Sequence, residues 1–155
     1  MPRHSLKKIA NHINRMIPKI IVDTSVIVKW LNKSNEKNID KADKIMESAL
    51  RGEIELFAPE LAKYEYGNVL LKGKQLTPNE AVISLGTAYS LPINFVGESE
   101  EIAQETYKLA HELGITYYDA SFLSLAKKYD ATLITENIKH QGKHKDIKVE
   151  SLQEQ

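Results

Sequence analysis

Four stretches of this sequence place acidic, amide or hydroxyl side chains where a folded chain could use them for chemistry. Asp23 directly follows the apolar run Ile20-Ile21-Val22, with the hydroxyls of Thr24 and Ser25 beside it. Glu65 stands within Leu61-Ala62-Lys63-Tyr64-Glu65-Tyr66-Gly67-Asn68-Val69-Leu70, where helical spacing puts it on one face with Leu61, Asn68 and Val69. Asp119 opens the apolar segment Ala120-Ser121-Phe122-Leu123, and Leu133-Ile134 leads into Thr135, Glu136 and Asn137. Each has a structural explanation. Asp23 can cap a helix at Thr24, worth ~1 kcal/mol; Thr116 and Asp119 fit a capping box; Glu65 can face water, and Thr135 to Asn137 can be a plain loop. Convergence of the four would mean something else. Carboxylates brought close raise one another's pKa unless a divalent cation neutralises them. An oxygen donor set without cysteine or well-placed histidine favours Mg²⁺ or Mn²⁺ over zinc. Such an ion suits phosphodiester hydrolysis, and the natural substrate class is nucleic acid.

The elements that must position these residues come from one chain of 155 residues, a length that fits a single domain. Hydrophobic residues at 42% and charged residues at 27% exclude wholesale disorder. With no cysteine there is neither a disulfide framework nor a thiolate site. No apolar run reaches the ~18–20 residues of a membrane span, and the basic start lacks the apolar stretch of a signal peptide. A cytoplasmic protein with no membrane partner is expected. The charges balance at 21 basic and 21 acidic residues, but unevenly: Arg3, Lys7, Lys8, Arg15 and Lys19 precede any acid, so a basic arm leads an acidic body. A second basic cluster, Lys139, His140, Lys143, His144 and Lys145, reads as a solvated loop.

Residues 5 to 17 place Leu6, Ile9, Ile13 and Met16 at helical spacing, which predicts an amphipathic first helix. Residues 1–18 are read as a basic helical extension and 19–155 as the functional domain. Ile20 to Val22 suits a strand buried on both faces. Helices are then expected over Thr24–Leu31 and from Ile39 to about Leu50, and a strand over Glu55–Ala58. Pro59 should open a helix ending near Gly73. Thr77-Pro78-Asn79-Glu80 combines a capping box with proline at the first helical position, marking a helix to about Tyr89. Strands follow at Ile93–Val96, Thr132–Thr135 and, more weakly, Ile147–Val149. Between them lie a helix from Ser99, striped by Ile102, Thr106, Leu109 and Leu113 and stopped by Gly114, and another from Thr116 to Lys128. This alternation predicts an α/β fold, a three-layer α/β/α sandwich on a mostly parallel, about five-stranded sheet. In such sheets the ligand crevice lies beyond the carboxyl ends of the strands, at the reversal of winding.

At this point the sequence resembles the PIN-domain family, and within it the small VapC-type ribonucleases of toxin–antitoxin pairs. Ile21-Val22-Asp23-Thr24-Ser25-Val26, the segment Glu65-Tyr66-Gly67-Asn68-Val69-Leu70, Tyr118-Asp119-Ala120-Ser121-Phe122 and Leu133-Ile134-Thr135-Glu136-Asn137 carry the resemblance, in order, across roughly residues 19 to 150. It implies a metal-dependent endoribonuclease giving 5′-phosphate ends, a homodimer and a cognate antitoxin. Asp23, Glu65 and Asp119 fall on the family's acidic positions and would hold Mg²⁺ or Mn²⁺, with Thr24, Ser25, Thr135 and Asn68 in support. Asn137 departs from the pattern, standing where the family often has aspartate; it can offer a carbonyl oxygen but no charge, and Glu136 is a possible substitute. The basic helix could contact RNA, pack across a dimer or shield the sheet. A competing expectation is a PIN-like module weakened by Asn137 that binds RNA or protein without cutting. A phosphatase with Asp23 as nucleophile fits less well, because the usual second aspartate two positions on is Ser25.

Overall fold

The strands of this chain are short, and the central ones are apolar and separated by stretches long enough to hold helices. A computed structural model describes residues 3–138 and 144–155. Its elements are α1 (Arg3–Met16), β1 (Lys19–Val22), α2 (Thr24–Leu31), α3 (Ile39–Leu50), β2 (Glu55–Pro59), α4 (Leu61–Asn68), α5 (Pro78–Ser90), β3 (Ile93–Val96), α6 (Glu100–Leu113), α7 (Tyr117–Tyr129), β4 (Thr132–Thr135) and β5 (Val149–Ser151). The strands form one parallel sheet in the order β3-β2-β1-β4-β5. Its centre is β1, whose Ile21 and Val22 are fully buried, as are Leu56 and Ala58 of β2 and Leu133 of β4. The α/β/α sandwich on a five-stranded parallel sheet is thus the fold adopted.

From β1 the chain moves to β2 and β3 on one side, and then crosses back to β4 on the other. The reversal of winding therefore lies between β1 and β4, paired through Ile20 with Thr132, Ile21 with Leu133 and Val22 with Ile134. Helix α2 contacts α3, α4 and α5, while α6 packs along α7, which lies on β1, β2 and β4. Residues Ala120 to Ala126 of α7 are all buried, and Ser124 Oγ meets Thr106 Oγ1 of α6 at 2.7 Å. This buried polar pair needs no further partner, since Thr106 Oγ1 also donates to the Ile102 carbonyl at 2.7 Å.

Several local expectations change in the structure. Pro59 ends β2 instead of opening a helix: it sits opposite Val96 in the register, Glu60 N–H donates to the Val96 carbonyl at 2.9 Å, and the chain turns into α4 at Glu60. The helix expected to run on to Gly73 is α-helical only to Asn68, and Val69–Gly73 widens into a π turn in which Lys74 N–H reaches the Val69 carbonyl at 2.8 Å. The last strand lies at Val149–Ser151, slightly beyond its expected position, with Ile147 buried before it. Thr77 and Glu80 do form the reciprocal capping box, with Thr77 N–H to Glu80 Oε2 at 2.7 Å. Of the stripe on α1, Leu6 is 53% and Ile9 45% exposed; the side chains of Ile13 and Met16 lie outside the described residues. Lys139, His140 and Lys143 of the second basic cluster also lie outside them, while Lys145 is exposed.

Candidate functional site

Asp23 stands at the carboxyl end of β1, at the reversal of winding, where its N–H donates to the Ile134 carbonyl of β4 at 3.1 Å. It also caps α2, its side chain accepting from Ser25 N–H at 3.4 Å. Capping and a place in the site are therefore not alternatives here. Two hydroxyls converge on the same oxygen, Ser25 Oγ donating to Asp23 Oδ2 at 2.6 Å and Thr135 Oγ1 at 3.0 Å. Behind them, Glu136 N–H donates to Ser25 Oγ at 3.3 Å and Asn137 N–H to Thr135 Oγ1 at 2.9 Å. The amides occupy the hydroxyls' lone pairs, so the hydroxyl protons turn toward the carboxylate. Oδ1 accepts none of the hydrogen bonds among the described residues, and Asp23 lines the open cleft.

Glu65 is presented by the last turns of α4 and is held from α2, Thr24 Oγ1 donating to its Oε1 at 2.8 Å. Asp119 lies in the first turn of α7. Thr116 caps that helix by accepting Asp119 N–H at 3.0 Å, but the Asp119 carboxylate does not return the bond to Thr116, so it is not consumed by a capping box.

These residues border a cleft of about 450 Å³, lined by Asp23, Thr24, Ser25, Val28, Glu36, Glu65, Asn68, Val69, Asp119, Glu136 and Asn137. Every residue expected in the site is thus at the cleft wall except Thr135, which is fully buried beneath it and acts through Asp23. Asn137 and Asn68 are exposed, and their side chains make no hydrogen bond among the described residues.

The electrostatics separate two parts of the cleft. Burial pushes the Asp23 carboxyl above its ordinary value, more strongly than the bonds from Ser25 and Thr135 lower it. Glu65 is also raised, first by burial and then by the charges of Asp23 and Asp119, against the bond from Thr24. No lysine or arginine among the described residues pairs with Asp23, Glu65 or Asp119. Elsewhere on the rim, the almost fully buried Lys29 lies 2.9 Å from Glu136 Oε1 and 4.0 Å from Glu36 Oε1, with Lys74 3.8 Å from Glu36 Oε2. Sequence reasoning missed Lys29, Glu36 and Lys74. The available signal was a single cation in the apolar segment Val26-Ile27-Val28-Lys29-Trp30-Leu31, which cannot be buried without an acidic partner.

Carboxylates without a cationic partner, set among hydroxyl and amide side chains, fit a hard divalent cation in donor chemistry and charge. Among the described residues no three acidic or histidine side chains form a ready-made cage for an ion. Mg²⁺ commonly binds through one or two carboxylates while keeping several waters, so this open arrangement suits it better than it would suit a closed structural site.

Strand order, layering and the acidic cleft define a PIN-like α/β/α domain. Residues 20–143 match the family model described as the PIN domain, and the chain belongs to the PIN domain family. Comparison with curated protein sequences gives no match. Among solved structures, the chain is similar to PAE2754 from Pyrobaculum aerophilum, with 24% identity, 90% of this chain and 93% of the other covered, and a TM-score of 0.63. It is similar to VapBC2 from Rickettsia felis bound to a DNA fragment from their promoter, with 21% identity, 86% and 98% coverage, and a TM-score of 0.61. A third is Mycobacterium tuberculosis VapC20, a sarcin–ricin loop cleaving toxin, with 14% identity, 74% and 86% coverage, and a TM-score of 0.57. At these identities the likeness is one of fold.

The raised Asp23 has a consequence for stability. The folded chain holds the Asp23 proton to higher pH than the unfolded chain, so its stabilisation is complete below about pH 4 and is lost as pH rises through the folded value. In EDTA, the parent should lose stability relative to Asp23→Asn as pH rises from about 4 through the folded value. Denaturant midpoints of the two proteins across that range check this; parallel curves would contradict it.

Proposed function

We propose that this protein is a metal-dependent endoribonuclease that hydrolyses RNA phosphodiester bonds, acting as the toxin of a toxin–antitoxin pair. The observation that carries the reading is the unneutralised acidic wall at the β1/β4 switch, with Asp23 at the cleft wall fixed through Oδ2 by Ser25 and Thr135. Membership of the PIN family supports nuclease chemistry. The VapBC2 and VapC20 likenesses support a toxin with a cognate antitoxin, and the second of these supports RNA as substrate.

Asp23, Glu65 and Asp119 would hold Mg²⁺ or Mn²⁺, with Asn137 as an auxiliary oxygen donor. When bound, the ion would activate water, orient the phosphate and stabilise the departing oxygen. The protein's own part is positioning. Ser25 and Thr135 fix the Asp23 carboxylate, Thr24 fixes Glu65, and Asp119 stands in the first turn of α7. Asn68 and Asn137 offer amides to a phosphate or sugar at the cleft wall. Tyr64 and Tyr118, next to Glu65 and Asp119 in sequence, are exposed and line a separate apolar groove of about 220 Å³. Exposed aromatic faces of this kind suit stacking by unpaired bases.

The uncharged Asn137, together with Glu136 engaged by Lys29, favours a second reading. In it the fold binds RNA or a protein partner without turnover. Metal-dependent cleavage separates the two. On single-stranded RNA, Mn²⁺ or Mg²⁺ should support cutting to 5′-phosphate ends, and EDTA should stop it. Asp23→Asn and Asp119→Asn should each lower the rate by at least about 100-fold while remaining folded. Wild-type cleavage by the Asp23→Asn protein would reject the assignment, and an inactive parent that still binds RNA would favour the second reading.

The proposal includes a homodimer, because the half-exposed Leu6 and Ile9 on α1 form an apolar surface in need of cover. Light scattering should give twice the chain mass, and Leu6→Asp with Ile9→Asp should shift it toward monomer if α1 supplies the contact. A monomeric parent would reject the dimer. A dimer unchanged by the substitutions would place the interface elsewhere.

A further inference from the structure

Lys29 belongs to α2, the helix that Asp23 caps, yet its side chain is only 1% exposed. Its ammonium lies 2.9 Å from Glu136 Oε1 and 4.0 Å from Glu36 Oε1, and Glu36 is further engaged by Lys74 at 3.8 Å. Glu36 and Glu136 border both the acidic cleft and an adjoining cavity of about 330 Å³ that Lys29 lines. These are the two acids that would otherwise enlarge the cleft's oxygen set toward a second cation. An ammonium withdrawn from water needs such partners, and removing one side of a buried pair leaves the other uncompensated. Asn137, the other side chain at this end of β4, carries no charge.

We propose that Lys29 divides the acidic rim: it keeps Glu136 and Glu36 as internal counter-ions, so the cleft takes one divalent cation, on the Asp23, Glu65 and Asp119 side. The inference rests on the metal-dependent reading above and adds its stoichiometry. Glu136 is then not the fourth ligand that its place in the sequence suggests. Lys29 is a positioning residue, because anchoring the Glu136 side chain also steadies the peptide whose N–H supports Ser25 Oγ at 3.3 Å, and through it Asp23. The fixed ammonium supplies, on that side of the cleft, positive charge that a second metal would otherwise provide.

Mn²⁺ binding to the full-length protein, read from the electron paramagnetic resonance signal of the free ion, tests this without reference to cleavage. The parent should bind one Mn²⁺ per chain. Glu136→Gln should also bind one, with the dissociation constant within about threefold of the parent. Lys29→Met, which leaves Glu36 and Glu136 without that ammonium, should gain a second, weaker Mn²⁺ site. Two ions on the parent, or a loss of about tenfold or more in affinity on Glu136→Gln, would overturn the proposal. So would a Lys29→Met protein that is folded by circular dichroism and still binds only one. If Lys29→Met does not fold, the parent and Glu136→Gln decide the matter. Absence of Mn²⁺ binding by the parent would sink the metal-dependent reading as well. Binding abolished by Asp23→Asn, with a tenfold loss on Glu136→Gln, would sink the stoichiometry alone.

Discussion

A single carboxylate oxygen, Asp23 Oδ2, ties together the parts of this protein that have to be in register for its cleft to exist. It is reached by Ser25 from α2 and by Thr135 from β4, two segments far apart in sequence. They meet only because β1 and β4 are neighbours in the sheet, and β1 and β4 are neighbours only because the chain reverses its winding after β3. The amides of Glu136 and Asn137 complete the arrangement from behind by occupying the hydroxyl oxygens. Asp23 is thereby held through Oδ2 at the cleft wall. Buried polar networks of this kind depend on every member being satisfied, so loss of Ser25 or Thr135 would disturb both the support and the carboxylate it orients.

The same frame explains why the cleft stays acidic. Folding leaves Asp23 and Glu65 partly or wholly removed from water, near Asp119, with no cation of the described chain paired to them. Both carboxyls are raised, which is the cost of a site prepared for a positive ligand. Elsewhere on the rim, Lys29 and Lys74 neutralise Glu36 and Glu136 internally. Acidic residues close in space therefore serve opposite ends: some remain available and others are tied into the fold. Charge count alone does not distinguish them; the position of one buried ammonium does.

Much of this was legible in the sequence because it rests on local patterns. The apolar runs ending at Asp23 and Thr135 read as buried strands, and Thr77 with Glu80 read as a helix start, since each signal involves neighbours along the chain. What escaped depends on contacts that the sequence does not display. Pro59 stays in β2 because β3 lies beside it, and the π turn after Asn68 follows no break in composition that separates it from an α-helix. The half-formed cap at Asp119 looks like a full capping box in sequence, because residue spacing cannot tell whether the acid turns back to the helix or out to the cleft. Lys29 was the clearest missed signal. An isolated lysine amid valine, isoleucine, tryptophan and leucine asks for a partner, but Glu136 is distant in sequence and only the β1/β4 pairing brings it near.

On the proposed reading, Asp23 joins Glu65 and Asp119 in holding one divalent cation. Anomalous diffraction from a crystal equilibrated with Mn²⁺ tests it most directly. One peak is expected in the cleft, at coordination distance from the Asp23 carboxylate and bordered by Glu65 and Asp119, with Asp23 Oδ2 still held by Ser25 and Thr135. A peak on Glu36 and Glu136 with Lys29 displaced, or none at Asp23 under saturating Mn²⁺, would contradict it.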